Sequence, residues 1–142
     1  MATGAGNLMA FETTLALREI KYTVLEGTSD PAVRISYTLD NIAHLDVCFW
    51  FDGNGEAVHF ATSAIAHVPK DRIDVSLRAI NDANARYRWL RFYLDDDSDI
   101  VCSGDQLLVP DVVGECCHQL LSCTITICDE VCTTFMRALW AS

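Results

Sequence analysis

Apolar positions recur along the chain with two different periods, and the changes between them mark out its elements. Leu8, Phe11 and Leu15, followed by Leu17 and Ile20, fall near helical spacing, which predicts an amphipathic helix over residues 8–22. Residues 1–7 are small and glycine-bearing and read as a disordered leader, leaving 8–142 as a single domain. After turn signals from Gly27 to Pro31, three stretches rich in β-branched and aromatic residues, 32–39, 45–52 and 57–68, read as strands. The second and third are joined by Asp52-Gly53-Asn54-Gly55, residues that tolerate the positive φ of a tight hairpin.

Helical spacing returns after Pro69, a residue suited to a first helical turn, with Asp71 near the positive end of the dipole. Ile73, Leu77, Ile80, Asn84 and Tyr87 would share one face and lay this helix on the sheet. An amide on that face is costly unless bonded, so Asn84 is expected to fix the helix-to-strand junction through neighbouring backbone, the alternative being a ligand contact. The segment 89–94 then alternates, with Leu90, Phe92 and Leu94 on one side and Trp89, Arg91 and Tyr93 on the other. A turn at 95–99 and a returning strand at 100–109 follow.

From about Asp111 to Trp140 the pattern is that of a long helix, although Thr124-Ile125-Thr126-Ile127 is a β-branched run. Between Cys116 and Cys128 it holds no formally charged residue. Such a helix needs cover on more than one side, and if a monomer offers it only one sheet face, a second protomer or a bound partner is implied. The whole reads as an α+β fold with an antiparallel sheet in the order α-βββ-α-ββ-α.

Composition narrows what this fold does. Hydrophobic residues make up 51% of the 142, enough for a packed core rather than disorder. A net charge of -10 repels phosphate backbones, and the basic residues between Lys70 and Arg91 are interleaved with Asp71, Asp74 and Asp82, so nucleic acid is not an expected partner. No apolar run approaches the length of a membrane span and the start lacks a secretory signal pattern, so the expected location is the cytoplasm, without membrane association. Seven cysteines, an odd number, are read as reduced, small core residues.

Candidate chemistry is sparse. The run Asp95-Asp96-Asp97-Ser98-Asp99 has carboxylates suited to calcium but lacks the glycine and distal glutamate of an EF-hand, and reads as a solvated hairpin tip. Cys128 and Cys132, four apart, could meet a second pair across a symmetric dimer to hold zinc, but Cys117 on the same stripe is too far away to share an ion and core burial explains all three. His44, His59, His67 and His118 form no nucleophile or metalloprotease signature, so no catalytic residue, metal or cofactor is assigned. The face opposite the helices is the candidate functional surface, with Arg34, Trp50, His59, Trp89, Arg91 and Tyr93 projecting from it, unless the long final helix covers part of it. Trp, Tyr and Arg are the residue types enriched where protein interfaces concentrate their binding energy. Trp50, His59, Trp89, Arg91 and Tyr93 are therefore the candidate partner-binding residues.

The run Val68-Pro69, then Ile80-Asn81, Asn84, Tyr87-Arg88-Trp89, Arg91-Phe92-Tyr93-Leu94-Asp95-Asp96-Asp97 and Asp99-Ile100, resembles the YbjN family of bacterial sensory-transduction regulators. Phe49-Trp50-Phe51-Asp52 with its glycine turn, and Cys132, Met136 and Leu139-Trp140 near the end, resemble it as well. The resemblance implies a fold like that of the type III secretion chaperones, which are small, acidic, usually dimeric proteins that hold a partner polypeptide in extended form. The expectation is therefore a non-catalytic protein-binding module, chaperone-like or regulatory, acting as a homodimer. The alternative is a small-molecule or metal sensor using the acidic turn or the cysteine-rich final helix.

Overall fold

The structure, a computed structural model, describes residues 2–141. Its elements run α1 (Gly4–Leu17), β1 (Thr23–Val24), β2 (Ala32–Tyr37), β3 (Leu45–Phe51), β4 (Ala57–Thr62), β5 (Ala66–His67), α2 (Ile73–Arg86), β6 (Arg91–Leu94), β7 (Asp99–Leu107) and α3 (Val113–Trp140). Every strand pairing is antiparallel. The path β1-β2-β3-β4-β7 forms the body of the sheet, β5 follows β4 along β7, and β6 pairs with the opposite side of β7. The α+β class and the predicted order of elements stand, with the third predicted strand broken at residues 63–65 into β4 and β5 and a short strand, β1, added at the sheet edge.

The first helix starts earlier than its apolar spacing predicts. Thr3 caps it, its hydroxyl accepting from the Gly6 amide at 3.0 Å, and the buried Asn7 side chain donates to the Gly55 carbonyl at 3.0 Å. Residues 4–7 are thus helix docked on the β3–β4 hairpin rather than a disordered leader, while Met1 lies outside the described residues. A hydroxyl cap and tertiary bonds outweigh the low helix propensity of Gly4 and Gly6 here. The helix also ends sooner, at Leu17, with Glu19 turning at φ 57° so that Ile20 and Tyr22 fall outside it.

The core lies on one face of the sheet. Phe11 of α1 meets Phe49 with ring centroids 4.9 Å apart, Phe49 stacks on Phe60 at 5.7 Å, and Phe135 of α3 meets Phe92 edge-on at 5.5 Å. Helix α3 packs against α1, α2 and the sheet together, so its broad apolar surface is covered within one chain. The inference of a second protomer from that apolar surface alone does not hold, because α1 and α2 flank α3 on the sheet.

The α1–α3 crossing is close at Gly114, where a Cβ would lie 2.8 Å from the Ala10 carbonyl oxygen and against the Thr14 hydroxyl. Helix α2 buries Ser76, Ile80 and Ala83, whereas Leu77, placed on the predicted apolar face, is exposed. Asn84 does what its position predicts: its Nδ2 donates to the Phe92 carbonyl at 3.0 Å and its Oδ1 accepts from the Phe92 amide at 2.8 Å. The side chain thereby pairs β6 as a neighbouring strand would and closes that sheet edge.

Two substitutions test these contacts. Gly114→Val is expected to push α1 off α3 and lower stability by about 1–3 kcal/mol, read as a lower urea midpoint at unchanged slope. Asn84→Ala leaves both Phe92 backbone groups without their partner, and is expected to cost about 1–3 kcal/mol together with faster hydrogen exchange at the Phe92 amide.

Candidate functional site

Strand β3 alternates cleanly: Leu45, Val47, Phe49 and Phe51 are buried, and Asp46, Cys48 and Trp50 are half-buried on the opposite face. Antiparallel register carries that alternation across the sheet, since directly opposed residues share a face. Arg34 lies opposite Cys48, Trp50 opposite His59, His59 opposite Asp105, and Arg91 opposite Ser103. The helices pack on the other face through Phe11, Phe135 and their neighbours, so α3 does not cover this one.

A chain of contacts crosses four strands on this open face. The Trp50 and His59 rings lie 5.6 Å apart at 34°, His59 Nδ1 is 2.8 Å from Asp105 Oδ1, and Arg91 donates to Asp105 Oδ2 at 3.3 Å. The hydrogen bond from His59 holds the Asp105 carboxyl below its ordinary range, with Arg91 adding to the effect against the opposing cost of burial. Tyr93 stands exposed two residues along β6 from Arg91, opposite Val101. Beneath Arg91, Ser103 is buried with an Oγ that has no partner among the described residues. A planar aromatic, a hydroxyl and a guanidinium whose carboxylate partner is itself shared form a surface that can grip an apolar side chain and hydrogen-bond a polar one.

Four of the five candidate residues, Trp50, His59, Arg91 and Tyr93, therefore share this face, and Arg34 lies on it too. Trp89 does not. It precedes β6 with a left-handed φ of 77°, which breaks the alternation that would have placed it beside Arg91. Its indole instead lines a cavity of about 270 Å³ with Gln106, Cys116, Gln119, Leu120 and Cys123, next to α3. Asp105 was not singled out in the sequence. Its period-two spacing from Val101 and Ser103 was a usable signal, but only the register shows that it meets His59 and Arg91.

Cys128 is buried against Cys102 of β7, and the hydrogen bond between them, with burial, pushes its thiol far up. Cys132 points its sulfur at the Asn41 and Ile65 carbonyl oxygens, 3.6 and 3.9 Å away. Neither thiol is presented to a second copy for a shared zinc. In the acidic turn, oxygens of Asp95, Asp97 and Asp99 gather within 4.8 Å, and Asp95 Oδ1 accepts from the Asp97 and Asp99 amides, which orders the turn itself. Among the described residues, no helix is long and apolar enough to cross a membrane.

No curated protein matches the chain in sequence. Among solved structures it is similar to the heterodimeric ExoU–SpcU complex from the type III secretion system of Pseudomonas aeruginosa, with a TM-score of 0.56 and 13% identity over 92% of this chain and 98% of that one. It is similar also to the Yersinia pestis type III secretion chaperone SycH in complex with a stable fragment of YscM2, at a TM-score of 0.56 and 15% identity over 88% of this chain and 98% of that one. A third likeness is to YbjN from E. coli, at a TM-score of 0.56 and 14% identity over 87% and 89%. At these identities the likeness is one of fold: an α+β fold shared with type III secretion chaperones. The sequence model of the YbjN family, described as "Putative bacterial sensory transduction regulator", matches residues 10–137, and the chain belongs to that family.

Proposed function

We propose that this chain is a non-catalytic protein-binding module, chaperone-like or regulatory, that holds a segment of a partner protein on the open face of its sheet. The observation that carries this reading is the uncovered face itself, where Trp50, His59, Asp105, Arg91 and Tyr93 form a continuous aromatic and charged path across four strands. A bare sheet face bearing Trp, Tyr and Arg has the composition of a binding surface rather than of a solvated one. Two of the solved structures of like fold, the ExoU–SpcU complex and SycH with its YscM2 fragment, hold a second polypeptide, which supports the same reading.

In this proposal the chain, with α1 counted from Gly4, acts as one domain, in the cytoplasm, and as a homodimer. The homodimer is supported by apolar side chains that the monomer leaves exposed on its helical side, Leu77 on α2 with Met136 and Trp140 on α3, rather than by the buried length of α3. A shallow groove of about 300 Å³ lined by Val75, Ala79, Val131 and Ala138 separates the two helices. The client surface and the dimer surface then lie on opposite sides of the molecule, so one can be disturbed without the other.

Two measurements follow. Light scattering is expected to give twice the chain mass for the purified protein and a monomer for Leu77→Asp combined with Trp140→Asp. Partners recovered by cross-linking and re-purified are expected to bind Trp50→Ala with Tyr93→Ala at least about tenfold more weakly, given the ~1–2 kcal/mol typical of such anchors. Unchanged affinity at an unchanged unfolding midpoint would remove the open face from the proposal.

A further inference from the structure

One edge of β7 is only partly covered. Strand β6 pairs with residues 100–103 and stops there, whereas β4 lies along the other side of β7 as far as Leu107. The amide and carbonyl of Phe92 bond Asn84 and so point away from β7, which leaves Arg91 and Tyr93 to bond it at Ser103 and Val101. By the same alternation Asp105 and Leu107 turn their backbone groups to the side that β6 does not reach. Among the described residues no strand meets them there, and no loop amide or carbonyl bonds them. Gln106 Nε2 donates to the Leu107 carbonyl at 2.9 Å, a side chain standing where a strand would bond.

The chain itself keeps β6 from reaching further. Trp89 takes a φ of 77°, and its carbonyl oxygen lies against Gly104, where a Cβ would be 2.9 Å from it. The backbone thus leaves the line of β6 before it can pair with Asp105. Beside the free edge is the cavity of about 270 Å³ between Trp89 and α3, with Gln106 on its sheet side. Leu107, Val109 and Trp89, around this edge, are 75%, 62% and 61% exposed. Sheet proteins ordinarily cover or charge an unpaired edge, and here apolar groups are left beside one.

We propose that this edge receives an extended segment of a partner protein as an added antiparallel strand, with one large apolar side chain in the Trp89 cavity. The inference rests on the protein-binding reading above and adds a second contact for such a partner, made by backbone bonds rather than by the side chains of the open face. Strand addition combines main-chain bonds with a pocket for alternate side chains, and both stand together here. Directly opposed residues share a face, so the residue opposite Gln106 points at the cavity and its two neighbours bond Asp105 and Leu107. A second copy of this chain is a poor occupant. The edge from Asp105 to Leu107 is about 7 Å long at ~3.4 Å per residue, and stable dimers bury roughly 1,200 Å² or more.

The probe is a fluorescein-labelled peptide of alternating threonine and valine with phenylalanine in place of the central valine and lysine at both ends. In the free chain the Asp105 and Leu107 amides are expected to exchange hydrogen faster than those of Ser103 and Gln106, and to slow when the peptide is added. Alanine in place of the phenylalanine is expected to weaken binding at least about tenfold. N-methylation of the two threonines flanking the phenylalanine is expected to weaken it by a similar factor, and N-methylation of the phenylalanine, whose amide points outward, to leave it within about twofold. Slow exchange of both amides in dilute free protein shows the edge already paired and overturns the inference. Binding that leaves those amides fast but is lost in Trp50→Ala with Tyr93→Ala overturns the edge site and upholds the open face. No binding of the peptide also overturns the edge site, and leaves the open face to the partner measurement above. Slowing of the two amides as the protein alone is concentrated assigns the edge to a second copy and overturns the partner segment.

Discussion

The burial of α3 on one face of the sheet is the constraint from which the rest of the structure follows. Phe135 meets Phe92, Cys128 meets Cys102, and α1 and α2 close in on either side. Because the long helix and both shorter ones share that face, the other is left without cover. The small volume of cysteine suits this packing, and the Cys117 thiol is pushed up to about 12, chiefly by burial with Cys116 adding to it. In this helix the buried Cys117, Cys128 and Cys132 serve as small core side chains.

Where the helices meet, small groups set the distance. Gly114 lets α1 approach α3, and Arg18 and Glu115 pair at 3.0 Å beside the contact, on a surface where such a pair contributes little by itself. The hairpin that follows β3 is tied into the same unit by Asn7 and by the Gly4 amide, which donates to the Gly53 carbonyl at 3.3 Å. Through α1 the hairpin and α3 are thus joined beneath the open face.

On the open face the polar groups are organised around shared carboxylates rather than isolated charges. Asp105 serves both His59 and Arg91, and Asp46 serves both Ser36 and His44. Burial works against ionisation of Asp46, and the hydrogen bonds from Ser36 and His44 outweigh it, leaving that carboxyl below its ordinary range. Each carboxylate thus holds two neighbouring side chains in place on this face.

The sequence by itself determined what depends on neighbours along the chain. Strand alternation in Leu45–Phe51, the glycine hairpin after it, the presence of a helix from Ile73, and the junction role of Asn84 are local properties, and all of them are found in the structure. Tertiary structure decided what depends on register and on backbone handedness. Trp89 left its predicted face because a single residue took a positive φ, Leu77 was exposed because α2 turned its Ser76–Ile80–Ala83 side to the core, and residues 4–7 became helix because a hairpin fifty residues away bonds them. The pairing of His59 with Asp105 is of the same kind: it spans 46 positions, and periodicity fixes which face a strand residue occupies but not which residue lies opposite it.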